Sequence, residues 1–324
     1  MKAVQVSECG PPEVLRVQQV KDPSPSEGEV LIAVEVAGVS YGDIVVRSGR
    51  YPFPKPYVPG LEAGGRVVAV GAGADRSLVG KRVVAATVGM TGGYAELALA
   101  EAANTYEVPA GPTLERAVAV FQAGALAIGL VSAMRVRPGD SVLVTAAAGR
   151  IGSLLVQRAR AAGATTVIAA VGNPQKAVAA AGFGADTVVD YTAPDWVKKV
   201  REATGGKGAD VVVDAIGGDI ATQALEATAD GGGRFGLYGF TSGTWLPLDA
   251  HQIGRRGITV VGALGITFAK PVEEQRADAA EALRAAAAGQ LVPRIHGTFP
   301  LDRAADAHRA VESRDSIGAV LIRP

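Results

Sequence analysis

The feature of this sequence that most restricts its fold is a short apolar run leading directly into a glycine-containing turn and then a helical pattern. Residues 142–144 are Val-Leu-Val, the turn spans 145–152, and apolar residues recur at helical spacing over 154–162. A glycine in such a turn lets the backbone approach a pyrophosphate, and the helix that follows offers free N–H groups and its positive dipole end. The pattern predicts a strand, turn and helix that bind a dinucleotide.

A second apolar strand is predicted at 165–171, which completes a strand-helix-strand unit within about thirty residues. The turn has alanine at position 147 where the full fingerprint has its first glycine, so the flanking elements carry part of the argument. The alternative is a glycine turn in a purely structural unit. The residues expected to contact the phosphates are Ala148, Gly149, Arg150 and Ile151.

The end of the second strand indicates which nicotinamide cofactor is bound. NAD-binding proteins normally place a carboxylate about twenty residues past the glycines to hold the ribose 2′-hydroxyl. This chain has Gly172 there, followed by Asn173 and, three residues later, Lys176. A neutral donor and a cation without a carboxylate suit a 2′-phosphate, so NADP(H) is favoured over NAD(H). The alternative for Lys176 is a solvated lysine in the first turn of a helix.

Composition limits the classes of partner and location. The chain has 324 residues, enough for two domains, and its 32 Lys and Arg balance 32 Asp and Glu. No net field attracts nucleic acid or an anionic membrane, so we expect a small-molecule substrate. A single cysteine, Cys9, fits a reducing, cytoplasmic location. The weakly polar stretch 117–134 contains glycine and polar residues and is predicted to be a buried helix, not a membrane span.

The order of predicted elements indicates an α/β fold that is divided into two parts. Short strands between Pro- and Gly-rich turns fill the first 108 residues and predict a partly open β-barrel. Six strands then alternate with helices, which predicts a doubly wound parallel sheet. Short extended segments return near the C-terminus. We therefore predict a discontinuous first domain, residues 1–113 and 263–324, and a dinucleotide-binding domain, residues 114–262.

Further motifs occur in a fixed order along essentially the whole chain. They lie at 10–15, 38–43, 47–51, 59–65, 92–96, 205–214 and 312–314. Together with the glycine turn they resemble the zinc-free medium-chain dehydrogenases/reductases of the quinone oxidoreductase, or zeta-crystallin-like, type. The resemblance implies a GroES-like β-barrel catalytic domain, a Rossmann domain, an active site in the cleft between them, and a homodimer formed through the strand 258–261.

The resemblance also implies cofactor contacts for individual residues. They are Gly172, Asn173 and Lys176 at the 2′-phosphate, Tyr191 at the adenosine ribose, Gly239, Phe240 and Thr241 beside the nicotinamide, and Arg314 as a further contact. A zinc site is not expected, because one Cys and three His cannot build a catalytic or a structural zinc set. Leu61 and Glu62 stand where zinc-dependent members have His and Glu.

Four positions depart from the usual family pattern. Ser40 replaces a frequent Asn, Val45 a Tyr, Leu126 a Thr and Arg150 a Gly. The first three changes make the implied substrate cleft more apolar and remove hydrogen-bond donors, so a simple polar quinone is not the obvious substrate. For Arg150, a phosphate contact and a solvated side chain both stay open.

The expected chemistry is conjugate hydride transfer from NADPH to a quinone or an α,β-unsaturated carbonyl, without a metal. Tyr51 is the candidate proton donor, with Ser40 and Asp43 as orienting groups. The structural alternative is that Tyr51 packs on the loop 52–59 and that Asp43 caps a helix. Two other functions stay open: a biosynthetic enoyl reductase or reductive cyclase acting on a bulky enone, and a non-catalytic NADPH-binding scaffold.

Overall fold

The computed structural model describes residues 1–324 and forms two compact units. The first unit is Met1–Gln122 with Leu283–Pro324, and the second unit is Ala123–Ala282. The chain therefore passes from one unit to the other inside two long helices, whereas the sequence-based boundaries, 113/114 and 262/263, lie where elements end. Sequence patterns mark the ends of elements, while packing assigns each half of a helix to the core that it contacts. The sequence-based domain boundaries stay predictions.

The secondary structure comprises fourteen strands and ten α-helices, with four short 3₁₀ helices. The strands are β1 (Lys2–Gln5), β2 (Arg16–Gln19), β3 (Glu29–Gly38), β4 (Glu62–Val70), β5 (Arg82–Thr87), β6 (Leu97–Glu107), β7 (Ser141–Val144), β8 (Thr166–Val171), β9 (Thr187–Asp190), β10 (Val211–Asp214), β11 (Arg234–Leu237), β12 (Thr259–Val261), β13 (Ile295–Pro300) and β14 (Ala319–Arg323). The α-helices are α1 (Tyr41–Arg47), α2 (Leu114–Ala133), α3 (Gly152–Ala161), α4 (Pro174–Gly182), α5 (Trp196–Ala203), α6 (Gly218–Glu226), α7 (Ala250–Arg256), α8 (Ala263–Phe268), α9 (Val272–Ala287) and α10 (Ala304–Glu312). The 3₁₀ helices are Pro12–Val14, Arg76–Leu78, Val88–Met90 and Leu301–Arg303.

The first unit is built on a curled sheet with the order β13-β14-β3-β4-β5-β6. Strand β3 pairs with both β4 and β6, so the sheet bends back on itself while β13 stays at an open edge. Val30 and Ile32, two residues apart on β3, point into a buried cluster with Val67 and Val83, as the two-residue period of a strand requires. The predicted partly open barrel is confirmed, and the C-terminal strands β13 and β14 complete it.

The second unit contains six parallel strands in the order β12-β11-β10-β7-β8-β9. The predicted doubly wound sheet is therefore confirmed, and its strand order reverses between β7 and β10. The valine-rich strands are buried on both faces, because helices such as α3 and α4 cover the sheet. In sheets of this kind, ligands bind outside the carboxyl ends of the strands at the reversal point. The glycine turn after β7 lies at that point.

The apolar stretch near residue 120 forms helix α2, Leu114–Ala133. It is the one helix long and apolar enough, by length and composition, to cross a bilayer, and 61% of its most apolar window is buried inside the protein. Its buried residues include Val120, Phe121 and Leu130. The helix therefore contributes core residues, in line with the predicted buried helix.

Candidate functional site

The glycine turn connects β7 to α3 in the second unit and leaves backbone donors free. Gly152 is the first residue of α3, and a Cβ atom there would collide with the carbonyl of Ala146, so only glycine lets the helix approach the strand end this closely. The N–H groups of Ala148 and Ile151 make no hydrogen bond within the chain. Free N–H groups at the entrance to a helix are the donors that bind a phosphate.

A buried carboxylate, Asp214, holds the neighbouring strand ends together. Its Oδ1 accepts hydrogen bonds from Thr145 Oγ1 (2.7 Å) and the N–H of Ile216 (3.2 Å), and its Oδ2 accepts one from the N–H of Gly217 (2.9 Å). The Thr145 hydroxyl in turn accepts from the N–H of Ala215 (2.9 Å). Burial raises the pKa of Asp214, and these hydrogen bonds act in the opposite direction. The carboxylate thereby fixes the ends of β7 and β10 relative to each other.

The turn after β11 is held to the same edge of the sheet. The N–H groups of Tyr238 and Gly239 donate to the carbonyl of Asp214, at 3.0 and 3.2 Å. The N–H of Thr241 donates to the carbonyl of Ala215 at 3.1 Å. The structure therefore brings Gly239, Phe240 and Thr241, predicted to lie beside the nicotinamide, to the same edge as the glycine turn. Asp214, which carries this arrangement, was not predicted as a site residue. The available sequence signal was its place as the last residue of the 205–214 motif, at a predicted strand end.

The predicted 2′-phosphate residues lie together at the ends of β8 and β9. Asn173 caps α4, because its side-chain oxygen accepts a hydrogen bond from the N–H of Lys176 at 2.9 Å. Tyr191 follows β9 and lies over Gly172, where a Cβ atom would be 2.6 Å from the phenol oxygen. A carboxylate side chain therefore has no room at position 172 unless Tyr191 moves.

The remaining predicted cofactor residues are two arginines. Arg150 lies in the glycine turn of the second unit and is half-buried. Arg314 follows α10 in the first unit, where it is exposed and adopts a left-handed backbone with φ of 60°.

In the first unit, Ser40 and Asp43 form a reciprocal cap on α1. The Ser40 hydroxyl accepts from the N–H of Asp43 (3.1 Å), and Asp43 Oδ2 accepts from the N–H (2.9 Å) and the hydroxyl (2.8 Å) of Ser40. Asp43 Oδ1 accepts from the N–H of Gly60 at 3.0 Å. These bonds bear out the alternative that Asp43 caps a helix. They also tie the loop before β4 to α1.

Two buried aromatic side chains extend this cluster. The Tyr94 hydroxyl lies 3.4 Å from Asp43 Oδ2 and 3.2 Å from His308 Nε2. Burial raises the pKa of Asp43 to about 6, against the hydrogen bonds from Ser40 and Gly60. Burial, with the positive charge of Arg47, lowers the pKa of His308 to about 3, so its imidazole is neutral at physiological pH. Sequence reasoning missed both side chains, although Tyr94 lies within a quoted motif.

A buried arginine at the end of α1 forms an ion pair with a partly exposed glutamate on α10, the helix that carries His308. Arg47, at the end of α1, is 1% exposed and pairs with Glu312 at the end of α10. Both residues belong to family motifs quoted from the sequence, and the structure gives a physical reason for them. A buried guanidinium without its carboxylate would be strongly destabilising.

Tyr51, the predicted proton donor, stands apart from this cluster. Its side chain is 60% exposed and makes no hydrogen bond within the chain. The structure therefore joins Ser40 to Asp43 but leaves Tyr51 outside their hydrogen-bond network. No group of three or more His, Cys, Asp or Glu side chains is arranged to hold a metal ion.

Comparison with known proteins places these features in a family context. Residues 26–110 match the family model described as the alcohol dehydrogenase GroES-like domain, and residues 151–287 match that of the zinc-binding dehydrogenases. A quinone oxidoreductase of Pseudomonas aeruginosa is 32% identical over 327 residues, covering 100% of this chain and 99% of the relative.

Two further similarities extend over the whole chain. A 2-haloacrylate reductase of a Burkholderia species is 32% identical over 335 residues, covering 99% of this chain and 98% of the relative. The Escherichia coli quinone oxidoreductase, solved in complex with NADPH, has a TM-score of 0.91 and 30% identity, with 100% of each chain covered.

The unusual state of Asp43 leads to a prediction about pH and stability. Because its pKa rises from 3.8 to about 6 on folding, its stabilising contribution is present below about pH 4 and is lost as the pH rises through about 6. The free energy of unfolding that is lost in this way amounts to at most about 3 kcal/mol. We expect the free energy of unfolding of wild type, relative to Asp43→Asn, to fall between about pH 4 and about pH 7 in urea titrations.

Asp75→Asn is the matched control. Hydrogen bonds from Ser77 lower the pKa of this exposed carboxylate, so the difference between wild type and that variant should run in the opposite direction. Parallel pH curves for wild type and Asp43→Asn would contradict the assignment of a raised pKa to Asp43.

Proposed function

Because the chain belongs to the zinc-free quinone oxidoreductase family of medium-chain dehydrogenases/reductases, we propose that it reduces quinones or α,β-unsaturated carbonyls by conjugate hydride transfer from NADPH. The chain is thus an oxidoreductase that uses NADPH, and the finer proposal concerns its acceptor. The observation that carries it is the Asp214-organised edge of the parallel sheet, where a phosphate-binding turn and the 239–241 turn lie side by side.

The edge of the sheet has the features that a dinucleotide requires. The unpaired N–H groups of Ala148 and Ile151 would hold the pyrophosphate, and Arg150 would add a charge to the same group. Gly239, Phe240 and Thr241 would orient the nicotinamide. The family assigns Arg314, in the first unit, a further cofactor contact. When bound, NADPH supplies a hydride from C4 of its nicotinamide ring.

Two features of the Gly172 region support NADPH over NADH. In its present position, the Tyr191 ring occupies the space of a side chain at position 172, where a carboxylate would bind a ribose 2′-hydroxyl. Lys176 lies in the first turn of α4, which Asn173 caps, so an ammonium group and a helix N-terminus both favour the 2′-phosphate. Sterics and charge therefore act in the same direction.

The residues that we propose for the acceptor lie in the first unit. Asp43 holds the Ser40 hydroxyl through the helix cap, so Ser40 is a pre-oriented polar group next to α1. Tyr51 remains the sequence-based candidate for proton donation. The polar partners needed are few, because conjugate reduction requires one stabilised oxyanion and one proton.

The names of two relatives indicate which classes of acceptor to consider. One is named a quinone oxidoreductase and another a 2-haloacrylate reductase, and both substrate types contain a carbon–carbon double bond conjugated to a carbonyl or carboxyl group. Ser40, Val45 and Leu126 make this chain more apolar than usual at family substrate positions. A bulky enone, taken by an enoyl reductase or reductive cyclase, is therefore the second candidate. The charge balance and single cysteine fit the proposed cytoplasmic location.

We also propose a homodimer formed through the strand 258–261. Strand β12, Thr259–Val261, lies at the edge of the second unit's sheet and has no partner on its outer side. The helix that follows it, α8, exposes Ile266 (49%) and Phe268 (63%). An apolar sheet edge normally needs cover, and an identical strand across a twofold axis would supply it.

For the dimer, we expect Val260→Lys to convert the protein to a monomer in sedimentation experiments, because it places a charge on the edge strand that the proposed interface would cover. Val178→Lys introduces the same charge at a residue on α4 that is 79% exposed and should leave the oligomeric state unchanged. An unchanged sedimentation coefficient for Val260→Lys would exclude this interface.

The proposed activity is tested by following NADPH oxidation with 1,4-benzoquinone, 9,10-phenanthrenequinone, a linear enone and a bulky cyclic enone, with NADH in parallel. We expect turnover with NADPH and at least one acceptor. Turnover confined to the bulky enone would favour the biosynthetic reading. Tight NADPH binding without any turnover would contradict the reductase proposal and favour the scaffold.

Lys176 provides the sharpest test of cofactor choice. We expect Lys176→Glu to lower kcat/KM for NADPH about tenfold or more, since repulsion replaces attraction at the 2′-phosphate, while kcat/KM for NADH stays constant. Lys198→Glu is the control, because it makes the same charge change at an exposed side chain of α5. Equal losses with both cofactors would remove Lys176 from the proposed 2′-phosphate site.

A further inference from the structure

The chain contains two tryptophans, and their surroundings differ sharply. Trp196 is 1% exposed, and its indole N–H donates to Gln223 Oε1 at 2.6 Å, as expected of a side chain that stabilises a core. Trp245 is 46% exposed, and its indole N–H makes no hydrogen bond within the chain. A large aromatic side chain that stays in water contributes little to folding, so the exposure of Trp245 indicates a role other than core packing.

The exposed indole lies against the aromatic ring of the turn after β11. The ring centres of Phe240 and Trp245 are 4.7 Å apart, and the ring planes are inclined by 36°. A distance in this range is typical of aromatic pairs that attract each other. Phe240 is half-buried, so the two rings together form an aromatic surface that is partly exposed to solvent.

The backbone on both sides of Trp245 is anchored to the second unit. Before it, the N–H of Ser242 donates to the carbonyl of Ile216 at 2.8 Å, and the Ser242 hydroxyl donates to the carbonyl of Thr244 at 3.0 Å. After it, Leu246 is buried and belongs to the apolar core cluster of this unit. Trp245 is therefore held at a defined place, although its ring is nearly half exposed.

The aromatic pair adjoins the edge of the sheet where we propose that the dinucleotide binds. The N–H of Thr241, next to Phe240, donates to the carbonyl of Ala215 at 3.1 Å. The N–H of Ala215 donates to the hydroxyl of Thr145, in the glycine turn, at 2.9 Å. Contacts within one unit therefore connect the phosphate-binding turn to the turn that carries the aromatic pair, outside the strand ends where ligands of such sheets bind.

We propose that Trp245 is a positioning residue for the nicotinamide of NADPH: it holds the Phe240 ring, and the two rings limit where the flat nicotinamide ring can lie. The proposal rests on the proposed function and names a further residue of the same cofactor site. Aromatic surfaces attract flat heterocycles by dispersion and stacking. The proposed 2′-phosphate residues follow β8 and β9, which β10 and β7 separate from β11, so Trp245 should not affect the adenosine end.

The binding test compares NADPH with 2′-phospho-ADP-ribose, which keeps the adenosine and the phosphates but lacks the nicotinamide. We expect Trp245→Ala to weaken NADPH binding about fivefold and to leave the affinity for 2′-phospho-ADP-ribose unchanged in calorimetric titrations. Trp245→Phe keeps an aromatic ring and should recover most of the loss. Leu248→Ala removes another exposed apolar side chain from the same segment and is the control. Unchanged NADPH affinity in Trp245→Ala, or an equal loss with both ligands, would overturn the proposal.

Tryptophan fluorescence gives a second measurement that needs no turnover. Indole emission overlaps the absorption of the reduced nicotinamide, so bound NADPH should quench Trp245 by energy transfer. Since Trp196 is present in both proteins, we expect NADPH to quench wild type more strongly than Trp245→Phe. Equal fractional quenching would contradict the placement of Trp245 near the nicotinamide. Both measurements report binding, so failure of wild type to reduce any acceptor would contradict the reductase proposal alone.

Discussion

The second unit depends on one buried carboxylate at the point where its strand order reverses. Asp214 accepts hydrogen bonds from the Thr145 side chain and from two backbone N–H groups, while its own carbonyl accepts from the turn after β11. A buried charge without partners would be costly, but hydrogen bonds to a charged acceptor each contribute about 1.5–3 kcal/mol. The Asp214 carboxylate therefore holds the ends of β7 and β10 in place. Both turns of the proposed dinucleotide site are attached to these strand ends, so Asp214 also positions the two turns.

The first unit contains a comparable hydrogen-bond network, formed by residues that are distant in sequence. Asp43 links the cap of α1 to the loop at Gly60, and Tyr94 links Asp43 to His308 on α10. The Arg47–Glu312 ion pair joins the other end of α1 to α10. These contacts explain physically why the C-terminal segment belongs with the N-terminal one. Helix α10 supplies the partners of two side chains beneath α1: Glu312 for Arg47 and His308 for Tyr94.

Cofactor preference follows from packing as well as from charge. In the sequence, Gly172 stands where NAD-binding proteins have an acid, and Lys176 supplies a cation nearby. In the structure, the Tyr191 ring occupies the space that an acid at position 172 would need. A side chain introduced at Gly172 would therefore require the Tyr191 ring to move, because the two compete for the same volume.

Sequence patterns determined the features that depend on local spacing. The alternation of predicted strands with helices indicated the parallel sheet and its six strands, and the glycine turn indicated the strand-turn-helix unit. The ordered motifs identified the family, which the comparisons confirm. The candidate site was predicted only where residues adjoin such a motif, as for Gly149 and Asn173. The predicted grouping of Tyr51 with Ser40 and Asp43 came from proximity along the chain, and the structure joins only the last two.

Tertiary structure alone decided which distant side chains meet. Asp214 contacts several turns because β7, β10 and β11 are neighbours in the sheet. Tyr94 contacts His308 because α10 packs beneath α1. The local periodicity of apolar residues indicates which face of a helix or strand is buried. The side chains that a buried polar residue contacts depend instead on how elements far apart in sequence pack together. That is the physical reason why the fold could be predicted from the sequence while the polar network of the site could not.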